Sequence, residues 1–349
     1  MSHDIDRDIL LQCLESAQAG LSTKGIIEQS NCFVLRDGQV ATYNDEVCCQ
    51  GPSGLDKELT AVVQAEKLLE ILRHLKDDKI GVTCEEGKLI VRAKGKKAEF
   101  IAEQEVFLPI DKVDLPTKWS KLPDEFGDAV AMVQQAAGKD ESMFATTCVH
   151  IHPQWLEASD NYQVCRWPLK TGFKQSVLVR QSSIRHISQL GMTQFGETAS
   201  WVHFRNERGL VLSCRRYEEE FPDYSDKLVI AGTPLVLPKG LVEAAGVANI
   251  FASESQERNF VEVALRPGRV KVTGVGVTGR YQENKSLNYT GEPLTFCIPA
   301  QLLSDLIKRH SECHVNDRFL YADGGTYVYM TAITLPEDLA MAEANATSD

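Results

Sequence analysis

The fold is decided by a short stretch of sequence that recurs three times along the chain. The copies are VVQAEKLLEIL at residues 62–72, LVRQSSIRHI at 178–187 and CIPAQLLSDLI at 297–307. In each copy an apolar strand leads into a segment whose apolar residues lie three and four positions apart, the spacing of an amphipathic helix. Leu68, Ile184 and Leu303 hold matched positions, 116 and 119 residues apart. A repeat of this length is a whole domain, because solenoid units span only about 20–50 residues.

Outward from these copies, the same order of elements surrounds each one: a helix, several strands, the quoted strand and helix, and further strands. This order predicts an α+β fold in which two helices per repeat pack on antiparallel sheets. Linkers rich in Pro, Asp and Lys divide the chain into predicted domains at 1–118, 119–229 and 230–335. The remaining residues, 336–349, are acidic and small, and they predict a flexible tail.

The net charge of the chain limits how tightly the protein could bind nucleic acid. Its 37 lysines and arginines and 49 aspartates and glutamates give a formal net charge of −12. A protein that holds DNA tightly through its phosphates is usually basic. If DNA is a partner, contact is therefore confined to one basic surface or is loose.

Other whole-chain features favour the cytoplasm. No apolar run approaches the ~20 residues that span a membrane, and the N-terminus lacks the basic and then apolar pattern of a signal peptide. The ten cysteines form no CxxC pair, so we expect reduced and mostly buried thiols.

Common enzyme motifs are missing or incomplete. No GxxxxGK[ST], GxSxG or HExxH sequence occurs. The string GVGVTG at 274–279 has the glycine spacing of a dinucleotide site, but a strand pattern follows it where the pyrophosphate would need a helix N-terminus. We interpret these glycines as positions where two strands meet or twist.

One group of residues supports an alternative function, a cytosolic zinc-dependent enzyme. Cys148, His150 and His152 alternate along a predicted strand, so their side chains share one face. Cysteine and histidine are ligands that zinc prefers, although a tetrahedral site needs a fourth. Alternation is also what any half-buried strand shows.

Basic side chains recur near the ends of the second helix of each repeat. Arg73 and Lys308 occupy the same repeat position, and Arg180 and Arg185 lie within the middle copy. A charged helix face is most often simply solvated. Recurrence in three copies favours a shared surface instead.

The string RRYEEEFPDY at 215–224 resembles the strand end and turn that close the middle domain of the bacterial DNA polymerase III sliding clamp, the beta subunit. Four other segments resemble that family in the same order. They are the first helix and basic loop at 7–24, the helix LLEILR at 68–73, the segment ASDNYQV at 158–164, and YVYMT at 327–331. The chain is identified as a divergent candidate member, and a phage origin is left open.

The resemblance implies three tandem clamp domains per chain and a homodimeric ring of six. Such a ring is a non-catalytic processivity factor that encircles double-stranded DNA without sequence preference and tethers the replicative polymerase. Its partners are DNA, a DNA polymerase, a clamp loader ATPase and a second copy of the chain, with no membrane, cofactor or metal. It acts in the cytoplasm at the nucleoid, or in the host cytoplasm if phage-encoded. A clamp-like scaffold without DNA function is a further alternative.

The resemblance also implies three sets of site residues. The DNA-binding set is Lys24, Arg73, Lys76, Arg180, Arg185, Lys308 and Arg309. The partner-peptide pocket is Asp160, Asn161, Tyr162, Gln163, Val164, Pro222, Val328, Tyr329, Met330 and Thr331. The dimer interface is Phe107, Leu108, Ile250 and Phe251. The chain departs from the family where Gly-His-Arg is replaced by residues 161–163 and Met-Pro by residues 330–331, so the preferred partner peptide stays open.

Overall fold

A computed structural model of the protein describes residues 3–22, 24, 26–254, 260–310 and 312–339. The strands are β1 (His3–Asp6), β2 (Cys32–Arg36), β3 (Gln39–Tyr43), β4 (Val47–Pro52), β5 (Ala61–Gln64), β6 (Lys79–Glu85), β7 (Lys88–Ala93), β8 (Lys96–Glu103), β9 (Ser120–Lys121), β10 (Cys148–His152), β11 (Trp155–Ser159), β12 (Gln163–Pro168), β13 (Val177–Arg180), β14 (Gln194–Glu197), β15 (Trp201–Arg205), β16 (Val211–Tyr217), β17 (Thr233–Val236), β18 (Phe260–Arg266), β19 (Gly268–Val275), β20 (Arg280–Leu287), β21 (Leu294–Pro299), β22 (Glu312–Val315), β23 (Phe319–Asp323) and β24 (Val328–Ala332).

The α-helices are α1 (Arg7–Ser16), α2 (Ala65–His74), α3 (Phe126–Val133), α4 (Gln181–Ile184), α5 (Ile187–Leu190), α6 (Leu241–Ala252) and α7 (Ala300–Arg309). Short 3-10 helices cover Ala17–Gly20, Ile110–Lys112, Gln134–Ala136 and Glu141–Thr147. Each of the three quoted stretches folds as predicted, with a strand followed directly by a helix: β5 and α2, β13 and α4, β21 and α7.

The helix of the middle copy is shorter than predicted. The sequence pattern predicts one helix over 181–190, whereas the structure breaks it into the single turns α4 and α5. The three serines and two β-branched isoleucines of this segment are weaker helix formers than the leucines that dominate the other copies. The second turn ends at Gly191, whose φ of +60° is the left-handed conformation that closes many helices.

The chain forms two compact units. The first comprises Met1–Gln134, Cys148–Leu156 and Leu169–Glu220, and the second Gln135–Thr147, Glu157–Pro168 and Phe221–Asp349. The boundaries of these two units follow the spatial contacts between strands, and they do not coincide with the boundaries of the three sequence repeats. The three-domain division therefore stays a prediction about the sequence repeats.

The first unit is built on a continuous antiparallel ladder. Its strands run in the order β9, β14, β15, β16, β4, β3, β2, β5 and β8. The pairing of β4 with β16 joins the first repeat to the second, with Cys49 opposite Leu212. β8 continues into β7, β6 and β1, and β16 also pairs with β13, which leads to β10.

Helices α1 and α2 pack together in the first unit. The side chain of Asp6 caps α1 by accepting hydrogen bonds from the backbone N–H groups of Asp8 and Ile9. α2 buries Leu68, Leu69 and Leu72, which gives the apolar stripe that its sequence predicts.

The second unit contains two antiparallel sheets. One has the order β20, β19, β18 and β21, and α6 packs on it. The other contains β17, β22, β23, β24 and β12 in that order, so that a strand of the second repeat pairs with a sheet of the third. α7 packs against α6 and buries Leu303, Leu306 and Ile307.

The glycine string at 274–279 forms the turn between β19 and β20. A Cβ atom on Gly274 would lie 1.8 Å from the carbonyl oxygen of Ala248 in α6. Two strands meet at this string as expected, with Gly274 of β19 opposite Tyr281 of β20. Gly274 also lets β19 approach α6, a contact that the sequence did not predict.

Beyond β24, Thr334 forms a backbone bridge with Cys297, and residues 336–339 form one helical turn. The rest of the predicted tail, 340–349, lies outside the described residues. Within the described part of the chain, no helix is long and apolar enough to cross a membrane.

Candidate functional site

The predicted DNA-binding cations of the first unit differ in how exposed they are. Lys24 and Lys76 are exposed, and Arg185 is exposed on the turn that follows α4. Arg73, in the last turn of α2, forms an ion pair of 2.9 Å with Glu15 of α1. Because both members of that pair are about half exposed, water screens their interaction and the guanidinium stays accessible.

Arg180 is the least accessible cation of the set. Its side chain is 21% exposed and its Nε lies 3.4 Å from the carboxylate of Glu46. The hydroxyl of Tyr217 donates to the same carboxylate at 2.7 Å. Burial, followed by this hydrogen bond, raises the pKa of Tyr217. Arg180 thus belongs to an internal polar cluster, and its predicted role in DNA binding is the least supported by the geometry.

In the second unit the predicted cations lie at the C-terminal end of α7. Lys308 is exposed, while Arg309 is half-buried with its guanidinium 5.9 Å from the centre of the Tyr329 ring. Cations at this end of a helix are favoured by the helix dipole.

A polar cleft in the first unit was not predicted from the sequence. It has a volume of about 490 Å³ and lies between α1 and the segments 189–193 and 206–208. Arg208, exposed at the turn between β15 and β16, lines it. The sequence showed Arg208 only as a turn residue, because no helix periodicity marks it.

The predicted peptide pocket centres on an apolar cluster in the second unit. Its buried members are Val164, Tyr224, Tyr321 and Met330, and the half-buried Phe221, Leu228, Ile230 and Phe319 pack against them. Val164 lies directly opposite Met330 where β12 pairs with β24. Two of the ten predicted pocket residues, Val164 and Met330, are thus in the cluster. Phe221 and Tyr224 lie in the quoted string at 215–224, from which only Pro222 was assigned to the pocket. The remaining cluster members lie outside the quoted family segments.

Tyr162 and Pro222 border this cluster with exposed side chains, Tyr162 being 46% exposed. Other predicted residues support the site without lining it. The hydroxyl of the buried Tyr329 donates to Gln163 at 2.6 Å, and the amide of Gln163 donates to Asp160 at 2.9 Å. Val328 is half-buried in β24 and Thr331 is buried.

Asn161 explains one departure from the family pattern. Its φ of +71° lies in the left-handed region, which glycine adopts freely and asparagine tolerates better than most residues. The replacement of glycine therefore keeps the backbone turn. It also adds a side chain whose Oδ1 accepts from the Tyr224 hydroxyl at 2.9 Å and whose Nδ2 donates to the Met143 sulfur at 3.1 Å.

A buried ion pair connects two of the segments that form the same site. Arg166 and Glu157 approach to 2.6 Å, with side chains 14% and 2% exposed. Arg166 also donates to the Ser225 hydroxyl at 3.1 Å. These contacts tie β11, β12 and the segment 221–230 together.

The predicted interface residues divide into exposed and supporting side chains. Phe107 and Ile250 are 51% and 64% exposed, as expected for a contact surface. Leu108 is only 4% exposed and belongs to the core of the first unit around Trp201, and Phe251 is half-buried. Ile101 in β8, Val275 at the end of β19 and Val277 in the turn before β20 are also exposed apolar side chains. The sequence did not single them out, because isolated exposed apolar residues carry no periodic signal.

The zinc site of the alternative prediction is not formed. Among the described residues no three or more His, Cys, Asp or Glu side chains are placed to hold a metal ion. Cys148 is fully buried, and the His152 ring stacks on Trp155 with 3.5 Å between ring centres. The alternation along β10 is that of a half-buried strand.

Comparison with solved structures shows the fold. The DNA polymerase III beta subunit of Thermotoga maritima matches with a TM-score of 0.79 and 16% identity, covering 95% of this chain and 98% of that one. The beta subunit of Pseudomonas aeruginosa matches with a TM-score of 0.77 and 17% identity, covering 96% and 100%. The beta chain of Streptococcus pneumoniae matches with 0.78 and 17%, covering 96% and 100%. No family model matches the sequence. The chain has the sliding-clamp fold over nearly its whole length.

Proposed function

We propose that this protein is a DNA sliding clamp, a non-catalytic processivity factor that encircles duplex DNA and tethers a replicative polymerase. The observation that carries the proposal is the shared fold over 95–96% of the chain, in the same order as the sequence segments that resemble the clamp family. Such a protein acts in the cytoplasm, at the nucleoid.

A ring requires two chains joined head to tail, because heterologous contacts that close on themselves generate rings. Two observations support such contacts. β20 pairs only with β19 within the described residues, so one of its edges is available to another chain. Exposed Phe107 and Ile101 in the first unit and exposed Ile250 and Val277 in the second provide apolar surface for the contact.

The charge distribution suits loose contact with DNA. The predicted DNA-binding cations come from separate elements of the chain, and Arg73 and Arg180 lie beside carboxylates. A ring that is threaded on DNA needs no tight hold on phosphates, and weak contacts screened by salt allow it to slide. The net charge of −12 discourages adhesion to DNA elsewhere on the surface.

Polymerase and the clamp loader ATPase are the proposed partners at the apolar cluster of the second unit. Short peptides bind such sites by placing a few apolar side chains in a groove. The cluster, with Tyr162 and Pro222 at its border, offers that kind of surface.

The test is primer extension on singly primed circular DNA, using the polymerase and clamp loader from the same source. We expect the protein to lengthen the products made in one binding event and to have a solution mass of twice the 38.8 kDa chain. Unchanged product length with a correctly folded dimer would favour the clamp-like scaffold without DNA function.

A further inference from the structure

The border of the apolar cluster in the second unit carries an excess of negative charge. The chain segments that form it, residues 160–164, 221–230 and 317–321, contain Asp160, Asp223, Asp226 and Asp317 against two cations, Lys227 and Arg318. Asp223, Asp226 and Asp317 are exposed. None of these six side chains forms an ion pair with another described residue, so no paired side chain neutralises its charge.

Some of these carboxylates are fixed in place. Asp160 accepts hydrogen bonds from the backbone N–H groups of Tyr162 and Gln163, both at 2.9 Å. Asp223 accepts from the N–H of Ser225 at 2.9 Å, and its hydrogen bonds to Ser225 lower its pKa. Both are therefore held beside the apolar residues in defined positions. Glu219 and Glu220, both exposed, directly precede Phe221 in the chain.

The apolar surface between these charges is open. Tyr162 is 46% exposed, Met143 42% and Val229 66%. Phe221, Leu228 and Phe319 are half-buried against the cluster, so each still presents part of its side chain.

We propose that this surface binds a peptide whose apolar anchors are flanked by lysine or arginine. The inference rests on the proposed function, which places a partner peptide here, and adds the charge of that peptide. Opposite charges at the border of an interface steer association and discriminate between partners, while the buried apolar contacts provide most of the affinity. An acidic flank would meet four carboxylates and be repelled.

The test uses two labelled synthetic peptides with one apolar core of two leucines and a phenylalanine. One is flanked by three lysines and the other by three glutamates, and binding to the full-length protein is followed by fluorescence polarisation. We expect the lysine-flanked peptide to bind about tenfold more tightly at low salt, since exposed ion pairs each contribute roughly 0.2–1 kcal/mol. The difference should shrink at 0.5 M salt, where charges are screened within a few ångströms.

A charge-reversal variant identifies the surface. Asp226→Lys combined with Asp317→Lys should abolish or reverse the preference without changing the melting temperature, because both side chains are exposed. The matched control, Glu58→Lys with Asp114→Lys, changes the net charge equally at exposed positions of the first unit and should leave the preference intact.

Equal binding of the two peptides, or tighter binding of the glutamate-flanked one, overturns the proposal. So does an altered solution mass of the Asp226→Lys/Asp317→Lys variant, which would show that this face packs against another copy. If neither peptide binds while primer extension is still stimulated, the peptide inference fails and the clamp function stands. If the peptide preference is found but primer extension is not stimulated, the clamp function fails and the peptide inference stands.

Discussion

The hydroxyl of Tyr224 donates a hydrogen bond of 2.9 Å to the side-chain oxygen of Asn161. Tyr224 is 6% exposed and belongs to the apolar cluster, whereas Asn161 lies on the turn between β11 and β12 with a φ of +71°. The bond thus links the segment 221–230 to a turn that only a few residue types accept. The Nδ2 of Asn161 donates a hydrogen bond to the Met143 sulfur, so this one side chain connects three segments of the candidate peptide site.

Substitutions at Asn161 should separate the hydrogen bonds from the backbone conformation. We expect Asn161→Gly to lower the free energy of unfolding by about 1 kcal/mol, because the buried Tyr224 hydroxyl loses its acceptor. Asn161→Ala should cost about 1 kcal/mol more, because alanine is strained at positive φ. Urea denaturation measures both, and Tyr224→Phe is the control that removes the same bond from its other side. Equal stabilities of the glycine and alanine variants would contradict the left-handed turn.

The buried pair Glu157–Arg166 should behave as a unit. Arg166→Met removes the guanidinium that pairs with the Glu157 carboxylate, which is 2% exposed, and we expect a loss of roughly 3 kcal/mol in unfolding free energy. Combining it with Glu157→Leu should recover part of that loss, because the uncompensated charge is then removed. Chemical denaturation of the single and double variants measures the difference. A double variant less stable than both single variants would refute this account of the pair.

The lowered pKa of His203 should make the stability of the protein depend on pH. It is fully buried, its Nδ1 lies 2.8 Å from the Ser213 hydroxyl, and burial lowers its pKa to about 4 from the ordinary value of 6.5. Because the unfolded chain takes up this proton first, the stabilisation is complete above pH 6.5 and is lost as the pH falls toward 4. We expect the unfolding free energy to fall by about 3 kcal/mol from this group over that range.

The measurement is urea denaturation at several pH values, for the native chain and for His203→Asn. The variant should show a shallower slope between pH 6.5 and 4. Burial also lowers the pKa values of His186 and His310, which supply part of the remaining slope. An unchanged slope in the variant would show that His203 titrates normally in the folded protein.

Reversing exposed cations should shorten the time that the loaded protein stays on closed circular DNA. The set Lys24→Glu, Lys76→Glu, Arg185→Glu and Lys308→Glu removes exposed positive charges, and we expect faster loss and shorter primer-extension products, most clearly at raised salt. Lys57→Glu, Lys94→Glu, Lys118→Glu and Lys170→Glu reverse the same number of charges at exposed positions outside the proposed set and form the control. Equal losses in both sets would point to a general effect of net charge.

Arg180→Glu should act differently from that set. It places a carboxylate beside Glu46 at a position that is largely buried, so its main effect should be on stability. A variant with native stability and shortened DNA residence would instead place Arg180 in contact with DNA.

The sequence predicted the elements that local patterns determine. The strand-then-helix order appears at β5 and α2, at β13 and α4, and at β21 and α7, because the spacing of apolar residues requires it. It could not predict that β12 pairs with β24, since pairing between distant strands depends on packing of the whole unit.

The candidate sites were predicted only where a motif marks them. Val164 and Met330 belong to such motifs, whereas Tyr321 and Phe319 reach the same cluster through tertiary contacts that leave no local pattern. Leu108 was assigned to the interface by the family resemblance, and that assignment stays a prediction. The structure places its side chain in the core beside Trp201, so it could support such a contact only from beneath the surface. The alternation of Cys148, His150 and His152 likewise gave the correct strand and the wrong zinc site.

The most direct measurement compares retention of the loaded protein on nicked circular DNA before and after the circle is cut once. Encirclement predicts a long-lived complex on the circle that is lost within the time of cutting, because free ends let a closed ring slide off. Blocking both ends of the cut DNA with bound protein should restore retention. Equal lifetimes on the intact circle and on cut DNA with free ends would contradict encirclement.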